Sequence, residues 1–186
     1  MDEPITLCAV PNDRGATWGP DDTIVFAGYS GRWLEQVSAK GGTPTRLTYL
    51  APGEPHHVRP HFLAGTRHLL YRVTGTNGRN NAYYIMTLGS AERKLVMRVD
   101  SGNVAYAGRH LLFVQNNALM AQRFDLATLS VAGDPAPIVD RIRVSLVSPP
   151  RFGIFSVSQM GRLAFLSDEG GNMPMTILTN WTGLMK

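Results

Sequence analysis

Four times along the chain, an approach segment and a tight polar turn lead into a short, strongly apolar run. Trp18-Gly19-Pro20-Asp21-Asp22 precedes Thr23-Ile24-Val25-Phe26, and His61-Phe62-Leu63-Ala64-Gly65-Thr66-Arg67 precedes His68-Leu69-Leu70-Tyr71. Val104-Ala105-Tyr106-Ala107-Gly108-Arg109 precedes His110-Leu111-Leu112-Phe113. Phe155-Ser156-Val157-Ser158-Gln159-Met160-Gly161-Arg162 precedes Leu163-Ala164-Phe165. The closing aromatics Phe26, Tyr71, Phe113 and Phe165 stand 45, 42 and 52 residues apart, in or near the interval of one four-stranded propeller blade. The runs lose the alternation of a half-exposed strand, as strands covered on both faces do. No stretch keeps an apolar stripe at helical spacing for three turns, so the pattern predicts an all-β chain with almost no helix.

Asp21-Asp22, Gly65, Gly108 and Gly161 fall where each hairpin must reverse, and these residue types tolerate the left-handed dihedrals of such turns. A second strand pair follows in each repeat. It runs from Trp33 to Ser38 with Thr45 to Thr48, then from Ala82 to Leu88 with Arg93 to Met97. In the third, Ala118 to Phe124 is followed by a longer connection through Gly133-Asp134-Pro135 into Ala136 to Val139. The fourth offers only Met175 to Thr179, which leaves its outermost strand missing. The expected architecture is one β-propeller region over 1–186, a fragment of about four four-stranded antiparallel blades at 12–50, 56–99, 102–140 and 150–186, the last incomplete. An open array would leave apolar sheet faces and strand edges in water. Three arrangements relieve that: closure on itself with residues 4–10 as a completing strand, a homodimer closing a larger ring, or a place within a longer protein.

Composition narrows the function classes. The net charge is +4, from 18 Lys and Arg against 14 Asp and Glu, and no block of five basic residues forms a footprint for a phosphate backbone. No nucleic-acid partner is expected. The single Cys8 has no internal disulfide partner. The opening Met1-Asp2-Glu3-Pro4 is acidic and does not read as a signal peptide. No run approaches the roughly 20 apolar residues of a membrane span, so no direct membrane insertion is expected. The compartment stays unassigned, since a parent protein could place this stretch in the periplasm or outside the cell.

Trp18-Gly19-Pro20-Asp21-Asp22 followed by an apolar strand resembles the opening of the TolB-like (WD40-like) β-propeller repeats of bacteria, with Gly for Ser and Asp for the last Gly. His61 to Tyr71 resembles it with Phe62 for Trp and Ala64 for Asp, and Val157 to Phe165 keeps Ser158 and Gly161. More narrowly, Gly108 to Val114, Leu119 to Asp125, Gly133-Asp134-Pro135 and Ser156-Val157-Ser158 look like the propeller regions that follow a Ser/Thr kinase domain and a membrane segment in some soil bacteria. Asn180-Trp181-Thr182-Gly183 is similar to the start of a further unit there. The resemblance implies blades and no kinase chemistry, since the Gly-rich loop, His-Arg-Asp and Asp-Phe-Gly are all missing from the sequence.

Candidate chemistry is sparse. His56, His57 and His61 are the densest histidines, but Pro55 and Pro60 bracket them, which argues for loop and strand over a helical zinc pair. Asp21-Asp22 lacks the further carboxylates of a calcium loop. Glu35, Glu54 and Asp100 are isolated, and Ser30 has no nucleophile-elbow spacing. No catalytic residue, metal or cofactor is assigned. Trp18, Tyr29, Trp33 and Tyr84 lie at strand ends, where large aromatics pack between blades or serve as stacking platforms. Arg59, Arg67, Arg72 and Arg79 lie around the second repeat, whose polar connection over 74–81 is the best candidate for a binding loop. The expected binding surface is Trp18, Tyr29, Trp33, Arg59, Arg67, Arg79 and Tyr84. The expected function is a non-catalytic scaffold for a protein, peptide or small ligand, within a larger sensor or signalling protein. The alternatives are a structural fragment without activity and a propeller enzyme such as a lyase or glycosidase.

Overall fold

The computed structural model describes residues 4, 6–10, 14–28, 32–76, 81–145, 152–158, 161–169, 171 and 174–185, and divides into two compact units, 1–98 and 99–186. In the first unit, β1 (Ala16–Trp18), β2 (Thr23–Ala27), β3 (Leu34–Ser38) and β4 (Thr45–Arg46) form one antiparallel sheet in sequence order. A second sheet repeats the plan with β5 (His56–Phe62), β6 (His68–Thr74), β7 (Ala82–Thr87) and β8 (Arg93–Met97). This up-and-down meander is the build of a propeller blade. The first reversal is a 3-10 turn at Pro20–Asp22, with Asp21 and Asp22 at φ 57° and 53°, and the second places Gly65 at φ 72°.

The two sheets bury a common core. Val25, Ala27 and Leu34 of the first pack with Val58, Phe62, Leu69, Tyr71, Val73 and Met86 of the second. The next residues along β6 point to the opposite face, yet Leu70 is also buried, as the unbroken apolar run predicts, and so is Arg72, which the sequence puts near the loops. Gly19 is required by space, because a Cβ there would enter the Phe62 ring.

The second unit holds β9 (Val104–Ala107), β10 (His110–Gln115), β11 (Ala118–Asp125) and β12 (Ser130–Val139) in one antiparallel sheet. A short pair follows, β13 (Val144–Ser145) with β14 (Phe152–Gly153). A three-stranded sheet of β15 (Phe155–Val157), β16 (Leu163–Leu166) and β17 (Met175–Leu178) completes the unit. Leu112, Val114, Leu119, Ile138, Leu163, Phe165 and Trp181 share its core.

The fold is therefore all-β, built of four successive blade-like antiparallel sheets. Among the described residues, helix is confined to 3-10 turns, at Pro20–Asp22, at Thr76 and at Trp181–Leu184, and none is long and apolar enough to cross a membrane. Three local expectations change. Gly133-Asp134-Pro135 is not a connection; it lies within β12, where the β11–β12 pairing shifts register and Gly133 takes φ 67°. Thr6–Val10 carry no strand. Trp181, likened to the start of another repeat, is wholly buried in the second unit's core, edge-on to the His110 ring.

The last sheet is apolar on both faces. Leu163, Phe165 and Leu178 join the core, whereas Ala164, Leu166, Met175 and Ile177 lie on the other side, where Met175 is 73% and Ile177 63% exposed. Ile154, Ala164, Leu166 and Met175 border a concave apolar cavity of about 420 Å³. The first sheet has a face of similar kind, away from its core, carrying Ile24 and a 65% exposed Trp18.

Candidate functional site

Strand register in the first unit brings the starts of β3, β5 and β7 and the ends of β4, β6 and β8 to one edge of the sheets. Glu35 pairs with Arg46, His56 with Thr74, Val73 with Ala82 and Tyr83 with Met97. The connection 47–55 between the sheets runs along this edge, and a line of polar side chains secures it. Leu34 N–H donates to Thr48 Oγ1 (2.9 Å), and Thr48 Oγ1 lies 2.9 Å from His57 Nδ1. His57 Nε2 lies 3.1 Å from Glu54 Oε2. Arg93 holds both oxygens of Glu54 at 2.9 and 2.8 Å, and Ala51 N–H adds a bond of 2.9 Å.

Charge and donor count settle the protons along this line. Burial alone would raise the Glu54 carboxyl, but the bonds from Arg93, Ala51 and His57 outweigh it and hold the group down at about 2. Burial lowers the His57 pKa, the Glu54 carboxylate opposes that, and the Arg93 and Arg46 cations add to the lowering. At neutral pH His57 is thus uncharged beside an ionised, acceptor-only carboxylate. Nε2 must carry the hydrogen and donate to Glu54, leaving Nδ1 to accept from the Thr48 hydroxyl. The 3.4 Å approach of Arg93 Nη1 to Nε2 then joins two donors and is not a hydrogen bond.

A hydroxyl, an imidazole and a carboxylate in series have the connectivity of a nucleophilic triad. Access argues otherwise. Thr48 is 5% exposed and His57 fully buried, and the Thr48 oxygen already accepts the Leu34 N–H. The nearby cavity of about 310 Å³ is lined by Glu54, Thr74, Gly75, Tyr84 and Arg98, among others, but by neither Thr48 nor His57.

Aromatic rings flank both ends of the line. Arg46 donates through Nε to the Thr48 carbonyl and lies over two rings, 4.1 Å from the Trp33 centroid and 4.4 Å from that of Tyr49. Tyr49 is 72% exposed. Tyr84 stacks with Tyr71 at 6.3 Å, and the Arg93 guanidinium lies 4.5 Å from its centroid. Arg93 sits beside the buried Tyr71 hydroxyl; burial raises that phenol, and the hydrogen bonding and charge of Arg93 oppose the rise.

The expected surface residues separate. Trp33 and Tyr84 lie at this edge, and Trp33 donates to Glu35. Trp18 sits by the opposite turns, as does Arg67, which is ion-paired with Asp21. Arg59 occupies the irregularity in β5 with φ 56°, and Arg72 is buried within β6. Tyr29, Arg79 and Ser30 lie outside the described residues. Arg46, Tyr49, Arg93 and Arg98 were not singled out from sequence. In sequence Glu54 stands isolated and His57 reads as loop or strand, because Arg93, the partner of Glu54, is 39 positions away. Among the described residues, no group of three or more His, Cys, Asp or Glu converges as a metal site.

No protein-family model matches the chain, and no curated protein matches it by sequence. Among solved structures it is similar in fold to a puromycin-hydrolysing peptidase of Mycobacterium tuberculosis, with a TM-score of 0.56 at 12% identity. The match covers 90% of this chain and 37% of that chain, so the chain spans little more than a third of its length. At that identity the likeness concerns the fold alone.

Glu54 and His57 both have folded pKa values below their unfolded ones, so each contributes stability that is present at neutral pH and lost in acid. For His57 the loss begins below about 6.5; for Glu54 it runs from about 4.5 to about 2. Urea unfolding should therefore show Glu54→Gln less stable than wild type at pH 7, with the gap closing as pH falls from about 5 to about 2. A gap that stays constant over that range would contradict the assignment.

Proposed function

We propose that this chain is a binding scaffold without chemistry of its own, a set of propeller blades through which a larger sensor or signalling protein holds a protein or peptide partner. The observation that carries this reading is the closure of the Thr48–His57–Glu54 line. Every member is committed to a structural bond, while the edge above it presents Arg46 between two aromatic rings, one of them largely exposed. Aromatic and arginine side chains on a rigid base suit recognition.

The main competitor is an enzyme. Its form is suggested by the named activity of the structural neighbour, and the candidate machinery among the described residues is Thr48 with His57. Incubation of the purified protein with activated esters and aminoacyl or peptidyl amides should give no turnover above buffer. Turnover that vanishes in a folded Thr48→Ala variant would replace the scaffold reading with a hydrolase.

A second reading concerns self-association and rests on the exposed apolar face of the last sheet. Its proposed occupant is the first sheet of another copy, because the Trp18 and Ile24 face is apolar in the same way and sheet faces pair by stacking. Light scattering at micromolar concentration should give a dimer or larger species, reduced to monomer by Met175→Asp with Ile177→Asp. A monomeric wild type would rule out this contact.

A further inference from the structure

The cavity at the strand ends of the second sheet has an inventory that specifies its ligand. Glu54 dominates its wall, but the carboxylate is spent: it accepts from Ala51 N–H, His57 Nε2 and both terminal nitrogens of Arg93. That is about the full accepting capacity of a carboxylate, and Arg93 balances its charge. Thr74 donates its hydroxyl to the His56 carbonyl, and Gly75 N–H donates to Asn81 Oδ1. The Tyr84 ring is engaged by Tyr71 and Arg93, which leaves its hydroxyl as what it offers. The remaining charged lining residue, Arg98, is exposed.

Among the described lining side chains, two donors and one positive charge therefore remain in a space of about 310 Å³, the small end of the range for ligand sites. That side-chain inventory suits an anion. A guanidinium fork matches a planar carboxylate in particular. We propose that this cavity anchors a carboxylate of an acidic peptide, with Arg98 bearing the charge and the Tyr84 hydroxyl donating beside it. The proposal rests on the scaffold reading and gives it a ligand class. Glu54 has a positioning role, since it holds Arg93 over the Tyr84 ring and keeps the wall from offering a competing negative charge.

The test uses the full chain and three fluorescent peptides: a Glu-rich peptide with an amidated end, its Gln counterpart with a free C-terminal carboxylate, and the Gln counterpart amidated. The amidated Gln peptide should not bind, and whichever of the others binds identifies a side chain or a terminus as the anchor. Arg98→Ala should weaken binding about tenfold or more, Tyr84→Phe by a few fold, and Arg162→Ala, exposed in the second unit, not at all. Equal binding of the amidated Gln peptide, or full affinity in Arg98→Ala, would overturn the carboxylate anchor and leave the scaffold reading standing. Failure of all three peptides to bind would overturn both.

Discussion

Four hydrogen bonds converge on the Glu54 carboxylate, and most of what distinguishes the first unit follows from them. A partly buried carboxylate is costly to leave unpaired, so this one organises its surroundings. It draws in Arg93 from β8, fixes the hydrogen of His57 on Nε2, and through His57 orients the Thr48 hydroxyl that caps the Leu34 N–H. The connection between the two sheets is thereby secured by charge-assisted bonds where an apolar contact would leave backbone groups unmet. Arg93 in turn lies over Tyr84, so the network that holds the sheets also shapes the cavity wall.

The fold depends on a simpler constraint, and there the sequence was easy to read. A strand buried on both faces must be apolar at consecutive positions, and Leu69-Leu70-Tyr71 and Leu111-Leu112-Phe113 are buried throughout. A hairpin of this kind must reverse through left-handed dihedrals, and Asp21, Gly65, Gly108 and Gly161 all adopt positive φ. These signals are local. What escaped was set by distant partners or by space. Gly133-Asp134-Pro135 has the composition of a loop, yet pairing with β11 keeps it in a strand with shifted register. Trp181 looks like the opening of a repeat, but the core of the second unit takes it in.

The polar edge of the first unit was half legible for the same reason. Trp33 and Tyr84 stood out as strand-end aromatics, and both lie there. The arginines that engage them, Arg46 and Arg93, gave no signal, because a cation placed over a ring by sheet register has no sequence spacing of its own. Trp18 and Arg67 lie at the opposite end of the sheets, by the turn that carries Asp21.

The account turns on the Thr48–His57–Glu54 line being a structural brace, which fixes the state of one imidazole. Nitrogen-15 chemical shifts of His57 report that state directly. The account predicts a neutral ring with hydrogen on Nε2 and none on Nδ1, which stays predominantly neutral as the pH is lowered from about 8 to about 6.5 because burial holds its pKa below the ordinary imidazole value. A ring carrying hydrogen on Nδ1, or one that becomes charged across that interval, would contradict it.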